Sequence, residues 1–169
     1  MYSTGGMMAH HTRISWEKRP GEKFTDLKYS RAHKWLFDGG MEIRASSSPS
    51  VVPLPYSDES AVDPEEAFTA ALSSCHMLSF LAIAAKRNAI VESYEDQAEY
   101  VMAKNADAIL VVESVTLRPA VKFGGPPVPT SEQLAEMHAL AHRECFLANS
   151  VKSKIEIIPR ESTKEQDHE

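Results

Sequence analysis

Asp63-Pro64-Glu65-Glu66-Ala67-Phe68-Thr69-Ala70-Ala71-Leu72-Ser73-Ser74-Cys75-His76-Met77-Leu78-Ser79-Phe80-Leu81-Ala82-Ile83-Ala84-Ala85-Lys86-Arg87 is the segment on which the fold turns. Asp63 can accept from the free N–H groups of a first helical turn, Pro64 arrives with φ already set, and Glu66 completes an Asp-x-x-Glu capping box. From Ala67 to Ala85 no side chain is charged. Phe68, Leu72, Cys75, Ser79 and Ala82 form one stripe at helical spacing, widened by Ala71, Leu78 and Ile83. The pattern predicts a long helix buried on most sides, with a cysteine near its middle. Its length approaches the roughly 20 apolar residues of a membrane span. Thr69, Ser73, Ser74, Cys75, His76 and Ser79 make it too polar for that, so it reads as the core helix of a soluble protein.

Outward from this helix the chain reads as strands. Ile14 and Trp16 alternate with Arg13, Ser15 and Glu17 across Thr12 to Arg19, the period of a half-buried strand, closed by Pro20-Gly21. Trp35 and Phe37, then Asp38-Gly39-Gly40, then Met41 and Ile43 give a hairpin, since glycine supplies the positive φ of a tight turn. Ser46 to Val62, with Pro49, Pro53 and Pro55, is a long loop. Beyond the helix, Glu92 to Ala103 and Ile109 to Phe123 read as two antiparallel strands, the second with Ile109, Val111, Val115, Leu117, Val121 and Phe123 on one face. Thr130 and Gln133 open a second helix running to about Ala148, and Val151 to Ile158 forms a last strand. The order strands, long helix, strands, helix, strand defines an α+β fold with antiparallel sheet. A helix apolar nearly all round needs more cover than one small sheet supplies, and a second copy of it, in a dimer, would provide that cover.

The 169 residues suit one domain, taken as 12–158 between an N-terminal arm (1–11) and a C-terminal tail (159–169). A net charge of −6 offers no basic footprint for nucleic acid or an anionic membrane. No secretory signal pattern is present at the N-terminus, so the cytoplasm is expected. Neither a glycine-rich phosphate loop nor a flavin or nicotinamide motif occurs, so no bound cofactor is expected.

Cys75 and Cys145 lie 70 positions apart, which excludes CxxC redox and zinc-ribbon spacing. Cys145 falls on the stripe Leu134, His138, Ala141, His142, Cys145 of the second helix, so both cysteines sit on faces able to meet one core. Each alone reads more readily as a small apolar core residue than as a reactive thiol. Two other readings stand beside thiol chemistry. His138, His142 and Cys145 at i, i+4 and i+7, with Cys75-His76, could make a zinc site. A non-enzymatic small-molecule or lipid-binding protein would use the same scaffold with inert cysteines.

Asp63-Pro64-Glu65-Glu66-Ala67-Phe68 followed by Ala70-Ala71-Leu72-Ser73-Ser74-Cys75 resembles the Asn-Pro-Glu-Glu/Gln…Ala-Ala…Cys segment of the osmotically inducible protein C and organic hydroperoxide resistance (OsmC/Ohr) family. Arg143-Glu144-Cys145-Phe146-Leu147-Ala148-Asn149-Ser150 is similar to that family's second cysteine and its run into the last strand. The resemblance covers roughly Thr12 to Ile158. It implies an OsmC-like α+β fold with antiparallel sheets around a long buried central helix, and an intertwined homodimer. It also implies a peroxidase that reduces organic hydroperoxides in oxidative stress defence, restored by an external dithiol or lipoyl reductant. Carried over, Cys75 is the peroxidatic cysteine, Cys145 the resolving cysteine, and Glu65 the carboxylate that orients an activating arginine. Arg31 matches the arginine of the organic-hydroperoxide-resistance branch, with Arg44 in reserve. Asp63 in place of asparagine, His76 directly after Cys75, and the additional His138 and His142 depart from the family pattern.

The chemistry these residues suit follows from their types. Thiolate attacks a peroxide oxygen, and a guanidinium nearby would favour the thiolate and the charge growing on the leaving oxygen. A second thiol then captures the sulfenic acid as a disulfide.

Overall fold

The computed structural model describes residues 9–160. They fall into two compact units, one ending at Pro64 and the other beginning at Glu65. The remainder of the N-terminal arm and of the C-terminal tail lies outside the described residues.

The first unit is a three-stranded antiparallel sheet in the order β1 (Thr12–Ser15), β2 (His33–Phe37), β3 (Glu42–Ala45). The expected strand over Thr12 to Arg19 ends at Ser15 and forms an edge, pairing Ile14 with Trp35. The β2–β3 hairpin turns at Asp38-Gly39-Gly40, where only Gly40 takes the left-handed conformation (φ 86°). Ser46 to Val62 carries no regular element, as its prolines predict.

The second unit is built on α1 (Pro64–Lys86), which begins directly after the expected cap and runs unbroken for 23 residues. By length and composition it could cross a membrane, with a mean hydropathy of 1.6. It is nevertheless a core helix. Phe80, Ile83 and Ala84 pack with Val121, Met137 and Ala141 in one cluster, and Leu72 packs with Val115 and Leu117 in another.

Its buried line runs through Thr69, Leu72, His76, Phe80 and Ile83. The expected stripe through Cys75, Ser79 and Ala82 is thus rotated by about one residue. Ala70, Ala71, Ser74, Leu78, Ala82 and Ala85 face outward in the single chain, with Leu78 61% exposed. Both faces are apolar, so periodicity alone could not distinguish them.

The two long strands expected after α1 are each broken in two: β4 (Val91–Asp96) and β5 (Glu99–Lys104), then β6 (Leu110–Leu117) and β7 (Pro119–Phe123). β4 pairs with β7 and β5 with β6, both antiparallel, so one long hairpin is folded across two sheets. The break falls where Pro119 has no N–H to give to a ladder. The expected apolar face of the second strand also changes sides. A bulge between Val101 and Met102 puts Ser114 and Val112 opposite consecutive residues. Val115 and Leu117 are buried, but before the bulge Val112 packs on the core while Ile109 is 59% exposed.

Helix α2 (Ser131–Glu144) carries the expected capping box, with Gln133 N–H donating to Thr130 Oγ1 (3.3 Å) and Thr130 N–H donating to Gln133 Oε1 (2.9 Å). It stops at Glu144, short of Ala148. β8 (Lys154–Ile157) then joins β6 in parallel, a departure from the antiparallel pairing of the other named strands, made possible by the helical crossover before it. Arg160, expected in the loose tail, bridges to Ala120 and donates from Nε to Arg118 O (2.9 Å).

Candidate functional site: two thiols and a buried histidine pair

Cys75 lies in the middle of α1 and Cys145 caps the C-terminal end of α2, its backbone already extended (φ −73°, ψ 111°). The Cys75 sulfur lies close enough to Cys145 to act on its thiol, and both are free thiols. Cys75 is half-buried, whereas Cys145 is 1% exposed. Burial first, then the Cys75 sulfur beside it, push the Cys145 thiol up to about 11. Its Sγ accepts from Ala148 N–H (3.4 Å), and Asn149 Nδ2 donates to its carbonyl (2.8 Å) and to Arg143 O (3.0 Å). Those bonds satisfy the last carbonyls of α2 and end the helix at the cysteine.

The contacts between the helices descend in opposite senses. Cys75 meets Cys145, Phe80 stacks on His138 (4.4 Å between centroids), and Arg87 pairs with Glu136 (2.8 Å). Between the same helices, His76 Nε2 lies 3.1 Å from His138 Nδ1, with the rings 6° from parallel. His76 and His138 are 1% and 3% exposed, and desolvation pulls each down to about 4, helped for His76 by His138 and His142. They are neutral imidazoles at pH 7. The sequence offered these histidines as zinc candidates; they are buried and bonded to each other. The helical spacing of His138 to Cys145 and the adjacency of His76 to Cys75 were the available signals.

The zinc reading does not hold in this geometry. The row His138, His142, Cys145 is broken where Cys145 leaves the helix, and among the described residues no group of three His, Cys, Asp or Glu side chains is arranged to hold a metal ion.

Glu65 and Cys75 stand ten residues apart on one unbroken helix, a separation of about 15 Å along its axis. The carboxylate and thiol of one chain therefore do not meet. Arg31 belongs to the first unit, where Nη1 donates to Leu27 O (2.8 Å) and to Tyr29 O, and the guanidinium covers the Tyr29 ring at 3.8 Å. The reserve candidate Arg44 is spent on Asp58 (3.0 Å) and Ser60.

A cavity of about 660 Å³ opens elsewhere along α1, lined among others by Ala70, Ser73, Met77, Tyr94, Asp96 and Tyr100.

The chain is thus an α+β protein whose long apolar helix brings one half-buried and one buried thiol together. The profile of the OsmC-like protein family matches residues 57–160, and the chain belongs to that family. An OsmC-like protein of unknown function from Vibrio cholerae is 52% identical, with 91% of this chain and 100% of that one covered and a TM-score of 0.89. Organic hydroperoxide resistance proteins from Elizabethkingia anophelis (15% identity, 94% and 100% covered, TM-score 0.64) and Bacillus subtilis (OhrB; 16%, 93% and 100%, TM-score 0.61) share the fold. No curated protein sequence matches the chain.

Proposed function

We propose that the protein is a thiol-dependent peroxidase that reduces organic hydroperoxides. The observation that carries this reading is the pairing of a half-buried Cys75 with a fully buried Cys145. The accessible thiolate attacks the distal peroxide oxygen, the O–O bond breaks, the alcohol leaves with a proton, and Cys75 becomes a sulfenic acid. Cys145 displaces hydroxide from it to form the disulfide, and an external dithiol or lipoyl reductant restores both thiols. The apolar cluster of Phe80, Met137 and Ala141, built from the same two helices, supports an organic rather than an inorganic peroxide.

Arg31 and Glu65 are assigned to activation of the peroxidatic thiol. Because Glu65 stands about 15 Å along α1 from Cys75 of its own chain, the thiol it serves belongs to a second copy. The outward stripe of Ala70, Ala71, Ser74, Leu78 and Ala82 is the surface assigned to that homodimer contact.

A binding protein with inert cysteines is the second reading, favoured by the cavity along α1. Turnover of a small alkyl hydroperoxide, a fatty-acid hydroperoxide and hydrogen peroxide, each with a monothiol, a dithiol and dihydrolipoamide, separates the two. The peroxidase reading expects turnover of the organic substrates with the dithiols. Absence of turnover and of any Cys75–Cys145 disulfide after peroxide treatment would leave the binding reading.

A further inference from the structure

Arg31 stands two residues before β2, in a loop outside any sheet ladder. The two peptide planes that flank its Cα are each held at both ends. In the first, Trp16 Nε1–H donates to Ser30 O (2.7 Å) and Arg31 N–H donates to Tyr56 O (2.8 Å). In the second, His33 Nδ1 lies 2.7 Å from Arg31 O, and Ala32 N–H donates to Ser30 Oγ (3.2 Å). Because each peptide unit is planar, fixing both planes fixes the φ and ψ of Arg31 between them. A connecting segment at the surface can leave such groups to water, so here several residues are ordered to set the conformation of one.

The His33 bond is directional. A carbonyl only accepts and an indole N–H only donates. Arg31 O therefore requires the hydrogen on His33 Nδ1, and Trp35 Nε1–H, donating to His33 Nε2 at 2.8 Å, requires a lone pair there. The two neighbours thus select one neutral tautomer between them. Both rings hang from β2, where side chains two residues apart share a face. His33 is paired with the buried Ala45, and Trp35 lies between Ile14 and Ile43. The line of support from Trp35 through His33 to Arg31 therefore starts in the middle strand of the sheet.

What it holds is a cation. Arg31 Nη1 donates to Leu27 O (2.8 Å) and to Tyr29 O, the guanidinium lies 3.8 Å over the Tyr29 ring, and that ring stacks on Phe24 at 4.6 Å. None of these contacts carries a negative charge, so they orient the guanidinium without neutralising it. Arg44, in the same unit, is by contrast paired with Asp58 (3.0 Å). Resting on the reading in which Arg31 activates the peroxidatic thiol, we propose that His33 is a positioning residue for that arginine: through Arg31 O it fixes the backbone from which the guanidinium is presented. In this role His33 acts through Arg31 alone. A guanidinium serves a growing negative charge only where it is already aimed, and a misplacement of about 1 Å is enough to lose much of the effect.

Four variants separate this role from simple packing. His33→Leu removes the donor, His33→Asn keeps an N–H at the Nδ1 position, Arg31→Ala removes the cation, and the His33→Leu, Arg31→Ala double variant removes both. Single-turnover oxidation of Cys75 by cumene hydroperoxide is followed by dimedone trapping and mass spectrometry, beside the pH profile of Cys75 alkylation by iodoacetamide. Arg31→Ala is expected to slow oxidation about a hundredfold. His33→Leu should slow it about tenfold and move the alkylation profile to higher pH, as Arg31→Ala does, while His33→Asn stays within about threefold of wild type. In the double variant the loss should equal that of Arg31→Ala alone, because nothing remains for His33 to position. A folded His33→Leu with the wild-type rate, a His33→Asn as slow as His33→Leu, or a double variant slower than Arg31→Ala would each overturn the proposal. Should His33→Leu fail to fold, nitrogen-15 NMR of the wild-type ring decides: hydrogen on Nδ1 with a bare Nε2 is expected, and hydrogen on Nε2 overturns it. An Arg31→Ala protein that oxidises at the wild-type rate defeats the activation reading itself, an outcome distinct from a slow Arg31→Ala beside a fast His33→Leu.

Discussion

Ser73 Oγ donates to Asp96 Oδ2 at 2.5 Å, while the other oxygen of that carboxylate accepts the Arg118 backbone N–H at 2.5 Å. One acidic side chain therefore ties α1 to the point where the long hairpin breaks into two sheets. The Arg118 N–H sits immediately before Pro119, where the ladder has no donor, and Asp96 supplies its partner.

Truncating this carboxylate leaves two donors unsatisfied in a partly buried place. Asp96→Ala is expected to lower stability by about 2–3 kcal/mol and Ser73→Ala by about 1 kcal/mol. Urea unfolding of the two single variants and the double variant measures their coupling. Additive losses would show that the Ser73–Asp96 bond contributes nothing of its own.

For the thiols, Cys75→Ser should abolish peroxide turnover. Cys145→Ser should allow one oxidation at Cys75 and then accumulate sulfinic acid under excess peroxide, since no second thiol traps the intermediate. Intact-mass spectrometry across a peroxide titration reads both. Turnover that survives Cys75→Ser would reject the assignment of the peroxidatic residue.

Stability should fall on mild acidification. The folded-state values of His76 and His138 are near 4, below the roughly 6.5 of an unfolded histidine. Between those values the unfolded chain binds protons that the folded chain does not. The contribution is therefore present in full above about pH 6.5 and is lost as pH falls toward 4, at most about 3 kcal/mol per ring. Urea midpoints at pH 7.5 and 5.0 measure it, and the loss should shrink in the His76→Gln, His138→Asn double variant. An equal loss in that variant would place the acid sensitivity elsewhere.

The outward face of α1 predicts the assembly. Leu78→Glu puts a charge in the middle of the exposed apolar stripe and should convert a homodimer to monomer in analytical ultracentrifugation, with loss of peroxidase activity. In a complementary experiment, inactive Cys75→Ser and Arg31→Ala proteins are mixed under conditions that exchange subunits. Sites shared between two chains should recover activity through the one heterodimer site that has neither defect. No recovery from two separately inactive proteins would place each site within a single chain.

Thr130→Ala removes the side chain that accepts from Gln133 N–H at the start of α2, and should cost about 1 kcal/mol in thermal or urea unfolding with little change in thiol chemistry. A loss of thiol pairing in that variant would mean that α2 is positioned chiefly by its cap and not by Met137 and Ala141 in the core.

What the sequence determined by itself were the features whose causes are local. The start of α1 after Asp63 and the capping box of Thr130 and Gln133 were readable because the groups that make them lie within four residues of one another. So was the Asp38-Gly39-Gly40 turn, where backbone freedom is a property of the residue itself. The two cysteine segments carried the family. The tertiary structure decided what depends on which surface each residue meets. α1 is apolar on more than one side, so only the packing of Leu72, Phe80 and Ile83 showed that His76, and not Cys75, lies on its buried line. The bulge opposite Val101 and Met102 changed which face of a strand is buried, because one extra residue reverses a period of two. The bond between His76 and His138 joins residues 62 positions apart, and nothing local in either helix fixes the rotation that brings those two rings together.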